Sequence, residues 1–245
     1  MKRREGRREF LLLSTAIGTG LIVGGSAACA GESHQDESKK GNSESEGEVT
    51  ATEDLMREHG ILRRALIVYT ETASRLRANV PSIPPDALQK TAKLFRTFGE
   101  DYHERKLEEP YIFPAVKKAG GPAAAYPDIL VVQHQRGREI TDYILAVTRK
   151  ARIGEGDAVP LAKAMDELVL MYRNHAARED TVVFPAWKRT LTAKQLDEMG
   201  DKFEEIEHEQ FGEDGFEDAV KRINEIEADL GFADLAQFTA SPPPR

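Results

Sequence analysis

The sequence predicts an all-α protein: an up-down-up-down four-helix bundle (residues 52–190) with extra C-terminal helices. Three observations point there. Four long segments carry apolar residues at intervals of three and four, the buried stripe of an amphipathic helix. Only short breaks bearing Gly or Pro separate them, which favours antiparallel neighbours. The chain also repeats itself. Asp101–Val116 echoes Tyr172–Trp187 in the order His, carboxylate, apolar pair, Phe-Pro-Ala. Charged residues make up 31% of the 245 and aromatics 7%, in keeping with a soluble helical domain.

Residues 1–30 read as an address rather than as structure. Lys2, Arg3, Arg4, Arg7 and Arg8 form a basic start. Phe10 to Val23 is an apolar run of fourteen residues, short of the roughly twenty that span a bilayer. Arg7-Arg8-Glu9-Phe10-Leu11 resembles the twin-arginine export signal. Export across a bacterial inner membrane is therefore expected, to the periplasm or to an anchored position at the cell envelope. Ala27-Ala28-Cys29 resembles a lipoprotein box that would lipidate Cys29. The rival is an Ala-x-Ala cut after Ala30. Residues 31–51 form a polar tether rich in Ser, Glu and Gly that cannot bury enough apolar surface to fold. His34 in it has no assigned role.

The first helix starts near Thr52, a plausible N-cap, and ends before Pro81. Leu55, His59, Leu62, Leu66 and Tyr69 keep its stripe. After a loop at 81–85, the second runs from about Asp86 to Lys118, with Leu88, Ala92, Phe95, Gly99 and Tyr102 or His103 inward. Gly120-Gly121-Pro122 breaks it. The third runs from about Pro127 to Arg152 and carries Leu130, His134, Thr141 and Leu145. The fourth runs from about Ala158 to Lys188, with Leu161, Met165, Leu168, Tyr172, His175, Glu179 and Val182 inward. Residues 191–232 are a helical extension: Thr192 caps a fifth helix to about His208, and a sixth reaches about Leu230. Residues 233–245 are a loose tail.

Each bundle segment thus supplies one inward His: His59, His103, His134 and His175. His175 and Glu179 lie four residues apart, on one face of a helix. A buried carboxylate is costly unless something positive meets it, and a metal ion is one such partner. Imidazole with carboxylate suits iron, manganese or zinc. The single Cys excludes a Cys-rich zinc site and an intrachain disulfide. The net charge is −8, and removing the first thirty residues (five basic, two acidic) leaves −11. Nucleic acid and anionic membrane surfaces are poor partners for such a chain.

On these residues the chain resembles the hemerythrin-like, or HHE cation-binding, family. The resemblance covers roughly residues 52–189 and both halves of the repeat. It implies a non-haem centre of two iron ions that binds oxygen, with His59, His103, Glu108, His134, His175 and Glu179 at the positions of the family's ligands. Three departures stand out. Oxygen carriers of the family have His-x-x-x-His on the third helix, whereas here His134 is followed by Arg138, so one nitrogen ligand is missing. Glu108 lies five residues from His103, which turns it about 140° away on a regular helix. A π-bulge would absorb that extra residue, and Pro110 independently predicts distortion. Without a bulge, Glu104 or Glu109 takes the place of Glu108. Asp180 is the alternate to Glu179, which is preferred because Glu108 is its counterpart in the repeat.

Blander readings apply elsewhere. His208 sits in an acidic helix face, Glu204–Glu209, expected to be solvated. Its alternative roles are a cap over the bundle end or the missing nitrogen ligand. Tyr102, Tyr172, Phe113, Phe184 and Trp187 read as core rather than as redox relays. The function expected is binding of oxygen or a related small ligand at the cell envelope. The alternatives are a di-iron oxidoreductase or peroxidase-like enzyme, and cation handling without turnover. The sequence names no protein or redox partner and no oligomeric state.

Overall fold

The computed structural model describes residues 49–78, 84–212 and 214–244. The expected export signal with Arg7 and Arg8, Cys29, most of the 31–51 tether and most of the 81–85 loop lie outside them; the end of the tether is already structured, since Thr50 caps a helix that starts at Ala51. The described chain is all-α, with no strand among the described residues. Six helices follow in order. They are α1 (Ala51–Arg77), α2 (Pro85–Leu94, Phe95–Ile112 and Phe113–Ala119), α3 (Pro127–Thr148), α4 (Glu155–Arg178, Glu179–Val183 and Phe184–Lys188), α5 (Ala193–Phe211) and α6 (Gly215–Leu230). Among the described residues, no helix is long and apolar enough to cross a membrane.

The helix ends follow local chemistry. Thr50, not Thr52, caps α1. Glu53 lies three residues after Thr50, so the two side chains and backbones close a capping box. Thr192 and Gln195 close the same box on α5. Gly120 and Gly121, both at φ +74°, let the chain leave α2 in a conformation that side chains rarely adopt. The third helix stops at Thr148, four residues short of the expected end, and the fourth starts at Glu155.

Ion pairs and ring contacts set the directions. Arg77 near the end of α1 pairs with Asp166 early in α4, while His59 near the start of α1 meets Asp180 late in α4. Lys117 late in α2 pairs with Asp128 at the start of α3, and Arg96 earlier in α2 pairs with Asp142 later in α3. Both helix pairs are therefore antiparallel, as an up-down-up-down bundle requires. The bundle core includes Leu55, Leu62, Tyr69, Leu88, Phe95, Phe98, Ile144, Leu161, Met165 and Leu168. Val183 is buried and Val182 only half-buried, one place off the expected stripe. The cause is a π turn at Glu179–Val183, which inserts one residue into the helical period.

The extension packs on the bundle. Phe203 of α5 stacks on Trp187 with centroids 5.7 Å apart, and Phe211 meets Tyr102 edge-on at 5.2 Å. Arg64 of α1 reaches Asn224 and Glu227 of α6. The acidic face of α5 is not wholly solvated: Glu207 is buried and accepts from the Phe216 backbone N–H at 2.6 Å.

Candidate metal centre

The site begins with how two helices are wound. Phe95–Ile112 of α2 is π-helical over 18 residues, with i→i+5 hydrogen bonds. Such winding usually appears as a single turn. Here it brings side chains five apart onto one face, so Phe98, His103, Glu108 and Phe113 form a buried stripe. Tyr102, Leu107 and Ile112 form a second. Glu108 thereby shares a face with His103 despite the five-residue spacing. In α4, His175 and Glu179 share a face through regular α winding, and the π turn starts only at Glu179. The two copies of the repeat close identically: the Phe113 N–H donates to the Glu108 carbonyl, and the Phe184 N–H donates to the Glu179 carbonyl. The Glu-to-Phe spacing of five in both copies is this i→i+5 bond. A proline follows each Phe and has no N–H with which to continue the ladder.

Four imidazoles and two carboxylates converge in the bundle core. The Nε2 atoms of His59 and His103 are 3.1 Å apart, as are those of His134 and His175. Glu108 and Glu179 lie between the two pairs. Glu108 Oε1 is 3.3 Å from His103 Nε2, and its Oε2 is 3.3 Å from His134 Nε2. Glu179 Oε1 is 3.0 Å from His175 Nε2, and its Oε2 is 3.5 Å from His59 Nε2. Each carboxylate thus offers one oxygen to each His pair. All six side chains are at most 3% exposed.

The outer atoms of the four rings are all engaged. His59 Nδ1 is 2.7 Å from Asp180 Oδ1, and His103 Nδ1 is 2.6 Å from Glu58 Oε2. His134 Nδ1 is 2.9 Å from Glu109 Oε1, and His175 Nδ1 is 2.9 Å from Gln133 Oε1. Carboxylates only accept, so the Nδ1 atoms facing them carry a proton, and the four Nε2 atoms are the ones turned to the centre. Two arginines hold the outer acids. Arg63 pairs with Asp180, and Arg138 donates to Glu109 at 2.5 Å and to Glu104 at 3.0 Å. Phe184 stacks on His59 at 5.4 Å, and Phe113 stacks on His134 at 5.5 Å, each at 25°. Each Phe covers a His from the other half of the repeat.

The polar atoms fit cations. All four oxygens of Glu108 and Glu179 are buried and have no hydrogen-bond partner. Buried polar atoms left unpaired are rare and costly, and carboxylate oxygens at a convergence of imidazole nitrogens are metal-ligand chemistry. Two buried groups of donor atoms could each hold an ion: His59, His103 and Glu108, and Glu108, His134, His175 and Glu179. Protons are the alternative occupants. Burial would lower His103 and His134, but the neighbouring carboxylates outweigh it. His103 lies well above the ordinary imidazole value, and His134 is pushed up to about 10. Burial would raise Glu108, but His103 and His134 hold it well below the usual carboxylate range.

The alternate candidates have other partners. Asp180 sits on the outer nitrogen of His59, not at the centre. Glu109 does the same for His134. Glu104 accepts from Tyr172 and Arg138 and is 3.8 Å from His134 Nδ1. Glu104, Glu109 and His134 form a third group with metal-ligand spacing, but the Arg138 guanidinium already supplies its positive charge. His208 is exposed in the last turn of α5 and belongs to none of these groups, because that helix turns Phe203, Ile206 and Glu207 inward instead. Arg138 is buried and fills the place of the missing nitrogen ligand as the partner of an outer acid.

Sequence reasoning missed the outer residues Glu58, Arg63 and Gln133. A signal was there: Glu58-His59-x-x-x-Arg63 and Gln133-His134-x-x-x-Arg138 are a second repeat in register with the first. It reveals Arg138 as the counterpart of Arg63. Gly137 belongs to this arrangement too. A Cβ there would lie 2.9 Å from the Tyr172 ring, so Gly137 lets that ring close on α3.

Comparison with known proteins agrees with this architecture. The uncharacterized proteins Mb2018 of Mycobacterium bovis and Rv1995 of Mycobacterium tuberculosis are each 43% identical to the chain over 239 residues, 96% of this chain and 91% of theirs. No solved structure matches it significantly. The model of the hemerythrin HHE cation-binding domain matches residues 50–187, the stretch that carries all four converging histidines and both converging carboxylates. With a match over more than half its length, the chain belongs to the hemerythrin HHE cation-binding family.

Proposed function

We propose that the protein holds two iron ions in its bundle and binds oxygen or a related small ligand there. One observation carries the reading: four buried, unpaired carboxylate oxygens, each within 3.5 Å of a histidine Nε2. His59 and His103 would hold one ion and His134 and His175 the other, with Glu108 and Glu179 each offering one oxygen to both. Iron so held would supply reversible electron transfer and binding of a small ligand. The chain's own residues do the rest. Asp180, Glu58, Glu109 and Gln133 fix the imidazole tautomers. Phe113 and Phe184 exclude water from the outer faces of His134 and His59. Manganese and zinc suit the same donors.

The test is the visible absorption of iron-loaded protein taken from anaerobic buffer into air and back. A band that appears in air and reverses when oxygen is removed supports the reading. Irreversible oxidation argues against it. The enzyme reading has one observation in its favour: the Tyr172 hydroxyl is buried and donates to Glu104, and its ring lies 5.3 Å from that of His175. A protic group is therefore close to the centre. Peroxide consumption with a reductant, abolished in Tyr172→Phe, would favour that reading. Rapid iron loss to a weak chelator, with no oxygen response, would favour cation handling.

We also propose that the centre works at the cell envelope, through the twin-arginine stretch at Arg7-Arg8 and a tether at Cys29. Replacing both arginines by lysine should leave the protein in the cytoplasmic fraction. Unchanged export would refute this part.

A further inference from the structure

We infer that the two cation positions are unequal, and that the His134–His175 position releases its ion more readily than the His59–His103 position. The inference rests on the two-cation reading above and deepens it. At the centre each position has two Nε2 atoms, and Glu108 and Glu179 each turn one oxygen toward an Nε2 of each pair, Glu179 lying closer to the His134–His175 pair. The chemical difference lies one shell out.

The two halves supply their outer acceptors by the same rule. The residue before the first histidine of a half receives the Nδ1–H of that half's second histidine. In the first half this residue is Glu58, on His103 at 2.6 Å. In the second it is Gln133, on His175 at 2.9 Å. Glu58 also accepts from the Tyr102 hydroxyl at 3.2 Å, so both its oxygens act as acceptors, the pattern of an ionised carboxylate. An anionic acceptor pulls the Nδ1 proton away from the ring and makes Nε2 a better donor to a cation, whereas a neutral amide does so less. Glu58 is 1% exposed, while Gln133 is half-buried, so water reaches the second arm and not the first.

The remaining outer groups balance. Asp180 with Arg63 on His59 corresponds to Glu109 with Arg138 on His134. The extra acid of the second half, Glu104, lies 3.8 Å from His134 Nδ1 and its charge acts on that ring, but Tyr172 and Arg138 engage it and it makes no hydrogen bond there. The Glu58–Gln133 exchange is the difference between the halves in a directly hydrogen-bonded acceptor. Exchanging an outer partner of a metal-bound histidine typically changes metal affinity by roughly 10- to 100-fold.

The experiment uses the full chain loaded with Fe2+ under anaerobic conditions and a chromogenic chelator in excess. Wild type should lose its iron in two phases of equal amplitude, with rates about 10- to 100-fold apart. Gln133→Glu should slow the fast phase toward the slow one and leave the slow phase in place. Glu58→Gln should speed the slow phase. Because Glu58 is buried and its variant is at risk of misfolding, the half-buried Gln133→Glu variant is the deciding one. Release in a single phase from wild type overturns the inference and leaves the two-cation reading standing. So does a folded Gln133→Glu protein with an unchanged fast phase. Fewer than two ions at saturation overturns both.

Discussion

Loading the centre with cations should expel protons, and the structure says how many. In the metal-free chain, His134 sits at about 10 and His103 well above its ordinary value, so at pH 7 both rings carry two protons. The Nε2 of each then lies 3.3 Å from an oxygen of Glu108, at ion-pair distance. A cation needs those Nε2 lone pairs, so binding must release about two protons per chain. From about 10 down to pH 7 is about three units for His134. At about 1.36 kcal/mol per unit, that costs about 4 kcal/mol, an apparent affinity lowered about a thousandfold. The affinity should rise about tenfold per pH unit from His134 between pH 7 and 9, with His103 adding to the slope. The sign for folding is the reverse. The raised value of His134 stabilises the metal-free fold fully below 6.5, and this contribution is lost as pH rises through about 10. The depressed value of Glu108 stabilises above 4.5, and that contribution is lost in acid. The assay is an anaerobic Zn2+ or Fe2+ titration in weak buffer with a pH indicator, repeated at several pH values. Tight binding with no proton release and no pH slope would refute the assignment of protons to these rings.

Three further outcomes are expected. Glu100 is buried, accepts from Thr141 at 2.6 Å, and is raised to about 8 by burial and by Glu104. The folded chain holds this proton longer than the unfolded chain, so stability falls between pH 4.5 and about 8 by a few kcal/mol, and Glu100→Gln should flatten that slope in urea unfolding. Gly137→Ala would put a Cβ 2.9 Å from the Tyr172 ring and should cost about 1–3 kcal/mol, read as a lower Tm together with loss of the Tyr172–Glu104 contact. Phe203→Ala should cost about 3–5 kcal/mol and shift the emission of Trp187, the chain's one tryptophan. An unchanged Tm and spectrum would mean that α5 is not docked.

Much of this was legible in the sequence because the repeat fixes equivalent positions. A histidine on an apolar stripe says little alone. Four of them in register, with Glu108 and Glu179 each five residues before a Phe-Pro, pick out the helix faces that meet in the core. The awkward spacing of His103 and Glu108 marked a distortion, but not its extent. Eighteen residues of π winding depend on burying Phe98, Tyr102, Leu107, Ile112 and Phe113 against neighbouring helices, and local sequence does not carry those contacts. The outer shell was hidden for a related reason. Glu58, Arg63, Gln133 and Arg138 are polar residues on helices, and such residues mostly face water. Only the crossing of the halves, where Asp180 meets His59 from 121 residues away, gives them a purpose. Arg138 reads as a lost ligand against the family pattern, but its counterpart within the chain is Arg63, which holds an outer acid in the same way. The cap at Thr50 in place of Thr52 is legible only by counting three residues back from Glu53, its capping-box partner.

The central claim is that Glu108 and Glu179 bridge two cations, and metal content tests it most directly. Iron per chain should be measured for the full chain, for Glu108→Gln and for the double variant Glu108→Gln with Glu179→Gln, each shown to be helical. The account predicts two ions in the first, a loss in the second and none in the third. A folded wild-type chain without stoichiometric metal, or a double variant that still holds two ions, would contradict it.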